Sequence, residues 1–131
     1  MKKIITLICF VFAFTLIISC SGYGKKIVFN GTEVYYTSQV EKKDAEKLGA
    51  FLVRSEFANG KGKSVQLTKN EENNHFVFRM VVNEEAAKSD MYEILFKAMA
   101  IQLSDSVFNA SPVDFHVCDD RFNTLKELAF R

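Results

Sequence analysis

Residues 63–83 read KSVQLTKNEENNHFVFRMVVN, two alternating arms around an acidic, amide-rich turn. In the first arm Val65 and Leu67 share one side, and in the second Phe76, Phe78, Met80 and Val82 do so. Successive side chains of a strand point to opposite faces, so this period of two predicts a β-hairpin turning through Glu71-Glu72-Asn73-Asn74. Val77 and Val81 on the reverse side of the second arm predict a strand covered on both faces and therefore central to its sheet.

Working outward, Ile27-Val28-Phe29 and Thr32-Glu33-Val34-Tyr35-Tyr36 flank Asn30-Gly31. An Asn-Gly pair between β-prone runs predicts a tight hairpin, because both central residues of that turn need positive φ. Ser38 stands three residues before Glu41 in a capping-box arrangement, and Ala45, Leu48, Phe51 and Leu52 recur at helical spacing. A first helix is predicted over residues 40–57, stopped by Asn59-Gly60-Lys61-Gly62. Its other face carries Lys42, Lys43, Glu46, Lys47 and Arg54, as expected of a helix with one side in water. Beyond the central hairpin, Asp90 with Glu93 caps a second helix over residues 91–108. Tyr92, Phe96, Met99, Leu103 and Val107 form its stripe and Ile94, Leu95, Ala98 and Ile101 widen it, so this helix is expected to be the more buried of the two. After Pro112, Val113, Phe115 and Val117 alternate in a further strand that ends at an Asp119-Asp120 turn, and residues 124–131 fit either a strand or a helical turn.

Leaving aside the first arm of the opening hairpin, this order is β-α-β-β-α-β. It resembles the split unit of ferredoxin-like folds, and implies an α+β class with an antiparallel sheet and two helices on one face. That fold hosts many unrelated functions and implies none of them. The body from Val34 onward, with its Ser64-Val65-Gln66-Leu67 strand and its Val117-Cys118-Asp119 ending, also resembles an uncharacterised module of bacterial exported and membrane proteins.

The N-terminus carries a different message. Met1-Lys2-Lys3 is a short positive start, and residues 4–18 are apolar apart from Thr6 and Thr15, the charged and apolar parts of a secretory signal. The run is too short for a comfortable transmembrane helix of ~20 residues. Ile17-Ile18-Ser19-Cys20 resembles the lipobox of bacterial lipoprotein precursors, in which aliphatic residues and a small residue precede the cysteine. The resemblance implies that residues 1–19 are cleaved and that Cys20 carries a diacylglycerol on its thiol, often with an acyl chain such as palmitate on its new amine. Acyl chains contribute ~0.8 kcal/mol per buried methylene, and two or three of them anchor a protein stably. Residues 20–26 then read as a lipidated tether and residues 27–131 as a single α+β domain. The implied address is the cell envelope, membrane-anchored by lipid and periplasmic or surface-exposed.

Removing nineteen residues from 131 leaves 112, enough for one core. Lys2 and Lys3 leave with the signal, taking the seventeen basic residues to fifteen against sixteen acidic ones. No field of one sign recommends nucleic acid as a partner. Of the three cysteines, Cys9 lies in the leader and Cys20 at its end, so Cys118 is left without an intrachain disulfide partner.

The sharpest chemical constellation is Asp114, His116 and Cys118, which alternate with Val113, Phe115 and Val117 and so share one strand face. Carboxylate, imidazole and thiolate are all metal ligands, and His75 offers a fourth. Spacing argues against it, because neighbours on one strand face stand ~6.8 Å apart, too far for both to reach one ion without help from elsewhere. His116 as base for a Cys118 nucleophile is a second possibility, opposed by Asp119 and Asp120, which disfavour a thiolate. The acidic pairs fall in turns and near a helix start, where acids belong on structural grounds, and no glycine-rich phosphate loop, Ser-His-Asp order or HExxH is present. We therefore assign no catalytic residue, metal ligand or cofactor from the sequence. What remains is recognition: Tyr35, Val77, Arg79, Val81, His116 and Cys118 form a partly apolar sheet face suited to a protein or peptide partner or to self-association. The expectation is a lipid-anchored binding or assembly module rather than an enzyme. A small hydrolase or metal-binding protein centred on His116 and Cys118 is the alternative.

Overall fold

The computed structural model describes residues 22–130; the expected signal segment, Cys20 and Arg131 lie outside the described residues. Three hairpins follow one another along the chain. The first joins β1 (Lys25–Phe29) to β2 (Thr32–Tyr36). Its turn takes the conformation that the Asn-Gly pair predicts, with φ of 44° at Asn30 and 83° at Gly31. The second joins β3 (Lys63–Lys69) to β4 (Phe76–Val81), and the third joins β5 (Val113–Cys118) to β6 (Thr124–Leu128), so the ambiguous C-terminal segment is a strand.

Helices link the hairpins. Helix α1 (Lys42–Arg54) carries β2 to β3. The short α2 (Glu84–Lys88) and the long α3 (Asp90–Ser106) carry β4 to β5. The expected capping box is not formed: Glu41 is the N-cap of α1 and its side chain makes no cap bond, so the helix starts without help from Ser38. It ends at Arg54 because Glu56 turns left-handed, with φ of 63°, and the Ala58 amide closes back onto the Leu52 carbonyl at 2.9 Å. Ser89, rather than Asp90, caps α3 by accepting the Tyr92 amide at 3.4 Å, and Asn83 caps α2 through the Ala86 amide at 2.8 Å.

The strands form one six-stranded sheet in sequential order, β1-β2-β3-β4-β5-β6. The α+β class stands, but the antiparallel sheet and the ferredoxin-like order do not. Pairing within each hairpin is antiparallel, whereas β2 pairs β3 and β4 pairs β5 in parallel, giving a mixed sheet. In a split β-α-β unit the two strands flanking a helix leave room between them for another. Here each helical crossover lands on the adjacent position, and Val34 sits directly beside Val65 and Tyr36 beside Leu67. Parallel neighbours require such a crossover, and the hairpins then add a strand at either edge.

One core lies between the sheet and the helices. Phe78, Phe115, Leu48, Leu52, Leu67, Leu103 and the valines 34, 65, 113 and 117 are fully buried in it, and both long helices contribute to the same cluster. Phe115 stacks on Phe96 at 4.8 Å and meets Phe78 edge-on at 5.4 Å. The helices thus cover one face of the sheet, as expected.

Candidate functional site

The strand registers place one residue of each strand in a row across the helix-free face: Lys26, Tyr35, Gln66, Arg79, His116 and Glu127. Val77 and Asp114 are paired neighbours in the next row on one side, and Val81 and Cys118 on the other. All six residues read from the sequence as a recognition face therefore stand together. Exposure is much narrower than an open face would give, because Cys118 and Val77 are buried and Arg79, Tyr35, Val81 and His116 are half-buried.

An aromatic lid accounts for much of that cover. Tyr23, from the segment before β1, and Phe122, from the β5–β6 loop, meet edge-on with ring centroids 5.0 Å apart, and both lie edge-on to Tyr35, at 5.5 and 5.8 Å. Arg79 fastens the lid. Its guanidinium donates to Gln66 Oε1 at 2.7 Å, to the Phe122 carbonyl at 2.6 Å and to Thr124 Oγ1 at 2.9 Å, while Gln66 Nε2 donates to the Tyr23 carbonyl at 2.9 Å. Arg79 Nε is buried without a partner among the described residues. Sequence patterning placed Arg79 on this face but gave no sign of its partners, which lie thirteen, 43 and 45 residues away.

The titratable groups are dispersed. His75 Nδ1 lies 3.3 Å from both carboxylate oxygens of Asp114, at the end of the sheet where β4 and β5 begin. Asp114 Oδ1 also accepts the Phe130 amide at 2.8 Å. His116 points its Nε2 toward Glu127 at 3.9 Å, and burial holds its imidazole below its usual pKa against the opposing pull of that carboxylate. Burial pushes the Cys118 thiol up, with Arg79 pulling weakly the other way. Sγ itself lies 3.8 Å from the His116 carbonyl. Among the described residues no group of three or more His, Cys, Asp or Glu is placed to hold a metal ion.

The helical side carries a feature that the sequence reading assigned to the core. Phe96, Ala100, Leu103 and Ser104 of α3 are buried, but Met91 is 72% exposed, Ile94 68%, Leu95 55% and Ile101 50%. The expectation that α3 is the more deeply buried helix is thus corrected: the residues that widen its stripe face outward. Two layers give a helix one buried face, and an apolar surface wider than that must emerge on the other side. Beside this ridge, Lys97, Ala100, Ile101, Leu128, Ala129 and Phe130 line a groove of about 250 Å³. The outer face of α1, by contrast, exposes Lys42, Lys43, Glu46, Lys47 and Arg54. No helix among the described residues is long and apolar enough to cross a membrane.

Fold and surfaces together define a mixed-sheet α+β domain of three hairpins and two helical crossovers, with a latched sheet face and an apolar outer helix. Residues 26–129 match the AF_1994_N family, described as a family N-terminal domain, and the chain belongs to that family. No curated protein and no solved structure matches the chain.

Proposed function

We propose that this chain is a lipid-anchored envelope protein whose domain binds a protein partner through the outer face of α3. The observation that carries this reading is the run Met91, Ile94, Leu95 and Ile101, exposed on one helix and continuous with the groove beside Leu128 and Phe130. Apolar patches larger than about 300–600 Å² are uncommon on monomers and mark interaction sites. An amphipathic helix presenting anchors at i, i+3, i+4 and i+10 offers a ridge that a partner groove can receive. The anchor on Cys20 belongs to the same reading and rests on the Ile17-Ile18-Ser19-Cys20 sequence that precedes the folded domain.

The alternative centred on His116 and Cys118 draws less support. The thiol is buried and its ionisation is disfavoured, and His116 faces the Glu127 edge of the row. A nucleophile needs access and a lowered pKa.

Photo-crosslinking in the cell envelope tests the proposal. A photoreactive side chain at Ile94 is expected to yield a discrete adduct that disappears when Leu95→Glu and Ile101→Glu are added. The same side chain at Lys47, on the charged face of α1, is expected to yield none. Equal adducts at both positions, or none at Ile94, would overturn it.

A further inference from the structure

We propose that a short, docked tether holds the helix-free face of the sheet against the bilayer and turns α3 away from it. The inference rests on Cys20 carrying the lipid. Tyr23 is three residue steps from Cys20, with Ser21 and Gly22 between them, and an extended chain spans at most ~3.3–3.6 Å per residue, so Tyr23 lies within ~10 Å of the acylated position.

Tyr23 is not a loose end. Its carbonyl accepts the Gln66 amide at 2.9 Å and its ring packs against Tyr35 and Phe122, so the chain is fastened over the face of the sheet rather than at the tip of β1. Gly24 makes the path to β1 specific. Its φ is +94°, and a Cβ there would come within 2.3 Å of the Tyr36 carbonyl oxygen, so this residue both turns the chain and lets it pass close to β2. Gln66 is in turn held by Arg79, which also holds the Phe122 carbonyl. The described chain on the Cys20 side of the domain is thereby held over the middle of the helix-free face.

Packed layers of secondary structure stand about 10 Å apart, comparable to the whole reach of the tether. On this proposal the helix layer, on the far side of the sheet, stands farther from the membrane than the sheet does. Charge contributes little, since on this face Lys26 is paired with Glu33 at 2.9 Å and the row ends in the acidic Glu127. Tether length and docking set the orientation, which presents Met91, Ile94 and Leu95 to the aqueous compartment.

The test uses the full chain, expressed in a bacterium, purified with its acyl groups and reconstituted in vesicles containing a nickel-chelating lipid. Spin labels are placed at Val28→Cys, on the helix-free face and 57% exposed, and at Ile94→Cys on α3, 68% exposed. The native Cys118 is fully buried and stays unlabelled. The label at position 28 is expected to relax several-fold faster than the label at 94. A Gly/Ser insertion of about twelve residues after Ser21, with an r.m.s. span of ~20 Å, is expected to erase that difference without touching the domain. Equal relaxation in acylated protein, or a difference that survives the insertion, would overturn the orientation alone. An unacylated intact mass would instead overturn the reading of Cys20, and the orientation with it.

Discussion

The Arg79 guanidinium donates 2.6 Å to the carbonyl of Phe122, joining the middle of β4 to the loop between β5 and β6. Phe122 has φ of 58°, a left-handed conformation that a bulky residue adopts only where its surroundings hold it. Asp119 supplies part of that hold by accepting the Arg121 and Asn123 amides, each at 2.9 Å.

Replacing Arg79 removes three hydrogen bonds at once. Bonds to charged groups contribute about 1.5–3 kcal/mol, and Arg79→Met is expected to destabilise the domain by about that much in urea unfolding. Arg79→Lys is expected to rescue only part of it, because one ammonium does not reproduce the planar fork that spans Gln66, Phe122 and Thr124. Amide exchange at Phe122 and Asn123 should quicken in both variants before the rest of the sheet is affected. Uniform quickening would mean that Arg79 supports the whole fold rather than the lid.

The core gives a larger effect. Phe115 is fully buried, stacked on Phe96 and in contact with Phe78, so Phe115→Ala opens a cavity between the helix and sheet layers. The expected cost is about 3–5 kcal/mol, against less than ~0.5 kcal/mol for Lys47→Ala on the solvated side of α1. Denaturant midpoints at constant m-value measure both.

Much of this architecture was legible because it is local. The Asn30-Gly31 turn and the apolar spacing of Ala45, Leu48 and Leu52 each write their structure within ten residues or so, and the 63–83 hairpin within about twenty. Strand pairing is not local: Val34 beside Val65 and Phe78 beside Phe115 are choices among partners that the period of two treats alike. That is why the first five strands and the two long helices were legible but the sheet order was not; the short α2 was not legible either, and the sequence of β6 fits a strand or a helical turn alike. The recognition face was legible as a set of residues, since alternation alone puts His116 and Cys118 on one side. Its lid was not, because Tyr23 lies in a segment with no period. The outward ridge of α3 had a usable signal: Ile94, Leu95, Ala98 and Ile101 lie beyond the arc that Phe96 and Leu103 occupy, and a two-layer domain has no second surface to receive them.

Gly49 presents a conflict between propensity and packing. It is buried in the middle of α1, where alanine is intrinsically favoured by about 1 kcal/mol. An added Cβ would fall 2.1 Å from the Phe29 ring, however, so β1 or its side chain must shift. Overpacking costs typically 1–3 kcal/mol, and Gly49→Ala is therefore expected to destabilise on balance. Shortening the opposing ring with Phe29→Leu should make Gly49→Ala neutral or stabilising. A double-mutant cycle across Gly49 and Phe29 reads the coupling, and additivity would place the cost elsewhere.

His116 links stability to pH with a definite sign. Burial holds its folded-state pKa below the usual value of about 6.5, against Glu127 and Asp114, which favour the imidazolium, and with Arg79, which opposes it. Between the two pKa values the unfolded chain carries a proton that the folded chain does not, so acidification favours unfolding. The contribution of His116 is fully present above pH ~6.5 and is lost as pH falls through the window down to its depressed folded value. Glu33, Glu93 and Asp119, whose carboxyls are held below their ordinary range by hydrogen-bonding partners, act in a separate window at lower pH. Urea midpoints measured between pH 7 and pH 5 should therefore fall in the wild type and fall less in His116→Gln. Glu127→Gln, which removes the carboxylate 3.9 Å from Nε2, should lower the His116 pKa further in an NMR titration of the imidazole protons. An unchanged pKa in that variant would show that solvent screens the exposed Glu127 completely, and a raised one would reverse the sign assigned to the pair.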